Sequence, residues 1–142
     1  MVPKAAFSLE RYVFNKIEID FDLNSQNELE IDFSPSGVFK QTDSESLFEL
    51  KFIFSAKDKG ATKAFVGIEC NSTFKFASGI SFEEIPSYFY ANSIAILFPY
   101  VRAFISTVTL QANYPPIVLA TMNLSSLEET LKNKTVEQDK IR

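Results

Sequence analysis

The chain has 142 residues, of which 46% are hydrophobic, a length that fits one domain with a core needing neither disulfide nor metal. Its 14 basic and 18 acidic residues give a net charge of -4. No stretch of basic residues is present that could bind along a phosphate backbone, so nucleic acid is not expected as a partner. The 15 phenylalanines and 5 tyrosines make the apolar part unusually aromatic.

The residue types needed for catalysis are scarce. The sequence has no histidine, which removes the usual general base and most zinc sites. The lone Cys70 belongs to an alternating strand pattern, and the four glycines form no phosphate loop. Acid pairs such as Glu83-Glu84 and Glu128-Glu129 suit helix caps or a solvated face better than acid-base chemistry. We expect no enzyme, no catalytic residue, no cofactor and no metal site; a carboxylate-based enzyme is the remote alternative.

Two segments decide whether the sequence predicts a secreted or membrane-spanning protein: the N-terminal residues 1–10 and the apolar residues 88–110. Residues 1–10 lack the apolar core of a secretory signal, so the cytoplasm is expected. Residues 88–110 carry only Arg102 as a charge, but Pro99 and several Ser, Thr and Asn residues interrupt their hydrophobicity, and neither flank is notably basic. The protein is therefore expected to be peripheral to a membrane at most.

Four segments alternate apolar and polar residues, which is the pattern of a strand with one buried face. Their apolar positions are Phe7, Leu9, Val13, Ile17, Ile19 and Phe21; Leu29, Ile31 and Phe33; Phe48, Leu50, Phe52, Phe54 and Ala56; and Ala64, Val66, Ile68, Cys70, Phe74 and Phe76. The polar residues 34–37 are expected to end the second strand. Short links between the segments predict an antiparallel sheet with one apolar face.

A helix from about Ser93 to Gln111 is predicted to cover that face. Its apolar stripe follows helical spacing and consists of Ile94, Leu97, Phe98, Val101, Phe104, Ile105 and Val108. Ile96 lies off the stripe and gives the helix a second apolar side, which predicts packing between subunits. The expected oligomer interface is formed by Ile96, Leu97, Val101, Phe104, Ile105 and Val108.

The C-terminal part predicts one more helix. Residues 125–128 fit a capping box, and Leu127 with Leu131 gives a short amphipathic helix ending near Lys134. Residues 135–142 are polar and are expected to form a flexible tail. The predicted protein is thus one α+β domain over residues 1–134: a four-stranded antiparallel sheet with a long helix and a short C-terminal helix packed on one face.

An aromatic cluster stands between the last strand and the long helix. It contains Ile80, Phe82, Ile85, Tyr88, Phe89 and Tyr90. The glycine and proline around these residues predict a crossover loop, and loops seldom need that much aromatic surface for themselves. Two interpretations stay open: the rings fill the gap between sheet and helix, or they line an exposed apolar groove that binds a partner.

Two separated motifs resemble those of the export chaperone SecB. The first is Leu97-Phe98-Pro99-Tyr100-Val101-Arg102, and the second runs from Tyr114-Pro115-Pro116 to Met122-Asn123-Leu124. Their order and spacing are similar to the family's. The resemblance extends over about residues 7–132, strongest in the last third. It implies a SecB-like fold, assembly as a homotetramer built as a dimer of dimers, and ATP-independent binding of unfolded or pre-secretory polypeptides in apolar grooves, in the service of protein export.

The resemblance also implies site residues. Together with Ile80 of the cluster, the client-binding groove is expected to draw on Phe82, Tyr88, Phe89, Tyr90, Leu119, Met122, Leu127 and Leu131. Contact with the translocation motor SecA is expected through Asp20 and Glu69, although Lys16 stands where another acid is expected. A SecB-like chaperone of an antitoxin or another dedicated client stays an alternative. A carrier of a small hydrophobic ligand is the rival from another class.

Overall fold

The computed structural model describes residues 6–23, 28–119 and 124–138. In chain order its elements are β1 (Phe7–Ile19), β2 (Leu29–Gln41), β3 (Ser46–Asp58), β4 (Val66–Phe76), α1 (Ser87–Gln111), α2 (Ser126–Asn133) and β5 (Thr135–Glu137), with 3-10 turns at Phe21–Leu23 and Phe82–Glu84. This arrangement confirms the predicted α+β class. A short fifth strand adds to the expected four.

The five strands form one sheet in the order β1-β4-β3-β2-β5. The pairs β1/β4, β4/β3 and β3/β2 are antiparallel, whereas β5 runs parallel to β2. β3 shows how the sequence makes this sheet, because every second residue from Ser46 to Asp58 is buried and those between are not. The buried face carries the phenylalanines of the alternation, and both helices lie against it.

β1 does not keep the simple alternation that its sequence suggests. The register with β4 shifts between Leu9 and Arg11 and again between Phe14 and Lys16, so one extra residue is inserted at each place. Between these two bulges the facing is inverted: Phe14 stands beside the buried Cys70, while Val13 is 40% exposed. The expectation that Val13 lies on the buried face is therefore wrong.

β2 continues through the residues that were expected to break it. It pairs with β3 without interruption from Leu29 to Gln41, although it contains Pro35. The N–H of Gly37 donates to the Lys134 carbonyl of the tail, on the side away from β3. By the alternation of a strand, the nitrogen of Pro35 also points away from β3, so the missing N–H costs no bond in that ladder.

α1 begins at Ser87, directly after Pro86, which is six residues before the predicted start. The expectation of a loop through residues 87–92 is therefore wrong. The predicted helix is too short because Ser93 is polar yet buried, and a polar residue at a buried position interrupts the apolar stripe in the sequence. Its hydroxyl donates to the carbonyl of Tyr90 at 3.2 Å, so the polar group is satisfied inside the helix.

α1 is long and apolar enough to cross a membrane by length and composition, and it is the one such helix in the described ranges. The core helix of a soluble domain passes the same test. Here the residues of α1 that include Ile94, Leu97, Val101 and Ile105 are buried in the core cluster with the sheet. Residues 115–119, which follow α1, pass back along it. There the Ile117 N–H donates a hydrogen bond to the Thr109 hydroxyl at 3.0 Å.

Candidate functional site

The aromatic cluster divides into a buried floor and an exposed rim. Ile80 belongs to the floor: its N–H donates to the Ser46 hydroxyl at 2.9 Å, and that hydroxyl donates to the Ile80 carbonyl at 2.8 Å. Both residues are buried. This reciprocal pair fastens the chain leaving β4 to the start of β3.

Phe82 lies in the 3-10 turn Phe82–Glu84 and is half-buried. The turn is held by Glu84, whose carboxylate accepts the Ser81 N–H at 2.9 Å. The Phe82 ring stands 5.8 Å from that of Phe39 in β2, centroid to centroid. The turn therefore presents an aromatic ring beside the second half of β2.

The first turn of α1 separates its three rings by facing. Phe89 is fully buried among the rings of Phe7, Phe48, Phe74 and Phe76, at centroid distances of 4.6, 4.7, 5.9 and 5.0 Å respectively. Tyr90 is also buried, and this burial raises the pKa of its phenol. Tyr88 points outward with 49% of its surface exposed.

The other predicted client-binding residues come from the C-terminal part. Leu119 and Leu131 are buried, and Leu127 is half-buried against the core. Met122 lies outside the described residues. α2 packs on β2 and on α1. Its end leads into β5, which pairs with β2 from Gly37 to Phe39, in the half of β2 whose Phe39 ring also meets that of Phe82.

The predicted interface residues divide in the same manner. Leu97, Val101 and Ile105 are buried within one chain, whereas Phe104 and Val108 are half-buried and Ile96 is exposed. Helical facing sets this division. The fully buried residues lie at the centre of the side of α1 that meets the sheet, Phe104 and Val108 lie at its border, and Ile96 lies away from it.

Sequence reasoning misses an exposed aromatic surface where α1 crosses β1. Phe14 stacks on Phe104 with centroids 4.0 Å apart, and Tyr12 lies 4.6 Å from Tyr100. Tyr100 is 45% exposed, and β1 has no strand on its outer edge among the described residues. The bulge in β1 brings Tyr12 and Phe14 to this side, and a bulge leaves little signal in a single sequence.

The two acids expected to contact a partner are apart and differ in environment. Asp20 is exposed just after β1, where its carboxylate accepts the N–H of Asp22 at 3.0 Å. Glu69, in the middle of β4, stands opposite Lys16. The Glu69 carboxylate accepts an amide N–H of Asn15 at 2.9 Å and lies 3.9 Å from the ammonium of Lys51.

The polar face of the sheet is balanced in charge. It contains an open depression of about 550 Å³ whose lining includes Arg11, Asn15, Glu49, Lys51, Asn71 and Thr73. Lysine ammonium groups lie beside carboxylates across the strands, as in Lys40–Glu49 at 2.7 Å and Lys57–Glu30 at 3.4 Å. Within the described strands, opposite charges therefore lie side by side, and their fields largely cancel at a distance.

The described residues offer little for covalent or metal chemistry. No group of three or more His, Cys, Asp or Glu residues within them is placed to hold a metal ion. Burial raises the pKa of the Cys70 thiol to about 11, which leaves it protonated near neutral pH and a poor nucleophile.

Comparisons with known proteins agree with this architecture. An uncharacterized protein of Methanocaldococcus jannaschii is 28% identical over 149 aligned positions, covering 96% of this chain and 94% of the relative. Among solved structures, a Mycobacterium tuberculosis SecB-like chaperone in complex with an antitoxin peptide is 15% identical with a TM-score of 0.62, covering 82% of this chain and 88% of the other. A Streptococcus agalactiae protein of unknown function is 14% identical with a TM-score of 0.50, covering 82% and 98% respectively.

At 14–15% identity, the two solved structures show a shared fold only. A family model gives the family of the chain. The model described as preprotein translocase subunit SecB matches residues 7–134, nearly the whole chain. The family is one of chaperones rather than enzymes. The chain belongs to the SecB family.

Proposed function

We propose that this protein is an ATP-independent chaperone that holds unfolded polypeptides on an apolar surface formed by the 3-10 turn Phe82–Glu84, the first turn of α1, the linker residues Leu119 and Met122, and α2. The observation that carries this proposal is the pairing of exposed Tyr88 with buried Phe89 and Tyr90. A rigid aromatic floor keeps the rim residues in place, and the rim remains available to a client.

Roles within the surface follow from burial. The side chains of Phe82, Tyr88 and Leu127 are partly accessible to solvent, and we propose that they contact the client directly. The buried members are proposed to form the floor, which consists of Ile80, Phe89, Tyr90, Leu119 and Leu131. Each large apolar client side chain contributes about 1.5–3 kcal/mol when fully buried, so several anchors suffice for roughly micromolar affinity after association costs.

Binding of this kind needs no nucleotide and selects unfolded states rather than sequences. Apolar contacts are non-directional, and a client that folds withdraws the side chains that hold it. The rival interpretation as a carrier of a small hydrophobic ligand is less well supported, because four phenylalanine rings already fill the space around Phe89.

The proposed working form is a cytoplasmic homotetramer, a dimer of dimers. Support comes from apolar surface that one chain leaves uncovered along α1 and β1, namely Tyr12, Ile17, Ile96, Tyr100 and Leu110. In the part of the chain that the structure describes, no strand covers the outer edge of β1, which adjoins this surface. The half-buried Phe104 and Val108 extend it. Leu97, Val101 and Ile105 support the interface from beneath, by holding α1 on the sheet.

The client class has two candidates: pre-secretory chains in protein export, and a dedicated client such as an antitoxin. Glu69 favours the dedicated client, because Asn15 already bonds to one oxygen of its carboxylate and the ammonium of Lys51, 3.9 Å away, partly balances its charge. The similar Mycobacterium tuberculosis chaperone was solved with an antitoxin peptide. Exposed Asp20 remains the better candidate for a contact with SecA.

The test is suppression of aggregation. Citrate synthase denatured in guanidinium is diluted into buffer with increasing amounts of the protein, and light scattering is recorded without ATP. We expect scattering to fall to a low plateau near stoichiometric amounts. Scattering that does not change at a several-fold excess would contradict the chaperone proposal and favour the carrier.

A further inference from the structure

The tail strand β5 covers part of an edge that β2 would otherwise expose. Val136 stands opposite Val38, and the two strands run parallel. The Gly37 N–H donates to the Lys134 carbonyl at 3.2 Å, and the Gln138 N–H donates to the Phe39 carbonyl at 2.9 Å. These backbone groups of β2 point away from β3. Another extended segment in the place of β5 would therefore form hydrogen bonds with the same donors and acceptors.

Among residues 6–23, 28–119 and 124–138, little besides these backbone bonds holds β5 on the sheet. The strand has three residues, Glu137 is exposed, and Val136 is 59% exposed. One further bond ties its start to α2, where the Thr135 hydroxyl donates to the Leu131 carbonyl at 2.6 Å. A segment with so few buried contacts opens locally at a lower free-energy cost than the central strands.

The covered edge is continuous with the proposed client surface. Phe39 stands opposite Glu137 of β5, and the Phe39 ring lies 5.8 Å from that of Phe82. On the other side, α2 leads into β5 through Lys134 alone. An extended client chain that contacts Phe82 and α2 therefore reaches the backbone of β2 where β5 is bound.

We propose that β5 is a displaceable occupant of the β2 edge, and that it competes with an extended client segment for the N–H of Gly37 and the carbonyl of Phe39. The inference rests on the proposed chaperone function. Without a client, β5 protects an edge that would invite aggregation. With a client, the apparent affinity is lowered by the fraction of molecules in which β5 is still paired.

The first test compares Val136→Pro with Val136→Thr in the full chain. Proline has no N–H and breaks the parallel ladder, whereas threonine keeps the branched side chain that suits a strand. Amide exchange at Gly37 should accelerate in the proline variant alone. The probe is fluorescently labelled, reduced and carboxymethylated α-lactalbumin, which stays unfolded. We expect the proline variant to bind it roughly three- to tenfold more tightly than the threonine variant. Equal or weaker binding would overturn the proposal.

A second test locks β5 in place. Val38→Cys with Val136→Cys places two thiols on directly opposed residues of neighbouring strands, within the reach of a disulfide. Oxidation should weaken binding of the probe roughly threefold or more, and reduction should restore it. The single Val38→Cys variant, which retains Cys70, controls for oxidation elsewhere. Equal affinities of the locked and reduced forms would overturn the competition alone. Failure of every variant and of the wild type to bind would overturn the proposed function together with this inference.

Discussion

The rings of Phe7 and Phe89 meet edge to face with their centroids 4.6 Å apart. This contact joins the first residue of β1 to the first turn of α1, although the two are distant in sequence. Phe89 also packs on the ring of Phe48 in β3 and on those of β4. It therefore joins three strands to the helix, and its role differs from that of its neighbour Tyr88.

The first prediction compares these neighbours. Phe89→Ser removes a fully buried ring and should lower the free energy of unfolding by about 3–5 kcal/mol. Tyr88→Ser, at an exposed position, should change stability by no more than about 0.5 kcal/mol, yet weaken client binding several-fold. Denaturant unfolding and client affinity are measured on the same preparations. Wild-type affinity in a stable Tyr88→Ser variant would contradict the proposed rim.

The second prediction concerns assembly. Tyr100→Asp places a charge on the exposed aromatic surface at β1 and should reduce the mass of the oligomer while the fold persists. Leu97→Asp buries an unpaired charge under α1 and should unfold the chain. Light scattering measures the mass, and circular dichroism measures the fold. A Tyr100→Asp protein with the wild-type oligomeric mass would show that this surface is not an interface.

The third prediction tests the close approach at Gly37. A Cβ there would lie 2.3 Å from the ring of Phe48, and 3.0 Å from the Thr135 hydroxyl. Gly37→Ala should therefore destabilise the protein by about 1–3 kcal/mol, since the ring is held in the core.

Gly67 of β4 is the matched control, because a Cβ there meets nothing within 4 Å. Gly67→Ala should be close to neutral in denaturant unfolding. Equal effects of the two substitutions would contradict the steric argument, and would mean that backbone entropy alone decides both.

The fourth prediction concerns Cys70. Because burial raises its pKa from 9.0 to about 11, the folded thiol should react very slowly with a thiol reagent at pH 8 and rapidly in guanidinium. The unfolded state releases the thiol proton at lower pH than the folded state. The resulting contribution to stability is therefore complete below pH about 9 and is lost as the pH rises towards 11. Rapid labelling of the native protein would contradict the burial.

Much of the architecture is determined by local patterns. The alternation of β3 predicts its buried face correctly, because a strand places successive side chains on opposite faces whatever surrounds it. The stripe of Leu97, Val101 and Ile105 likewise identifies the face of α1 that is buried. The absence of histidine limits the chemistry without any knowledge of the fold.

The division of the aromatic cluster into floor and rim required the tertiary structure. Tyr88, Phe89 and Tyr90 are adjacent and similar in type, so no local pattern distinguishes them. The start of α1 at Ser87 turns two rings towards β3 and β4 and leaves the third in solvent.

The structural effect of some single residues also could not be predicted from the sequence, because it depends on a partner that is distant along the chain. The bulges in β1 follow from its register with β4, and Pro35 is tolerated because its nitrogen faces away from β3. Gly37 is required by the ring of Phe48 in the neighbouring strand, which leaves no room for a Cβ. Composition and periodicity thus determined the strands, the helices and their apolar faces, since these depend on backbone geometry within one segment. Register, edge pairing and the exposure of each ring were decided by contacts between segments, which exist only once the chain has folded.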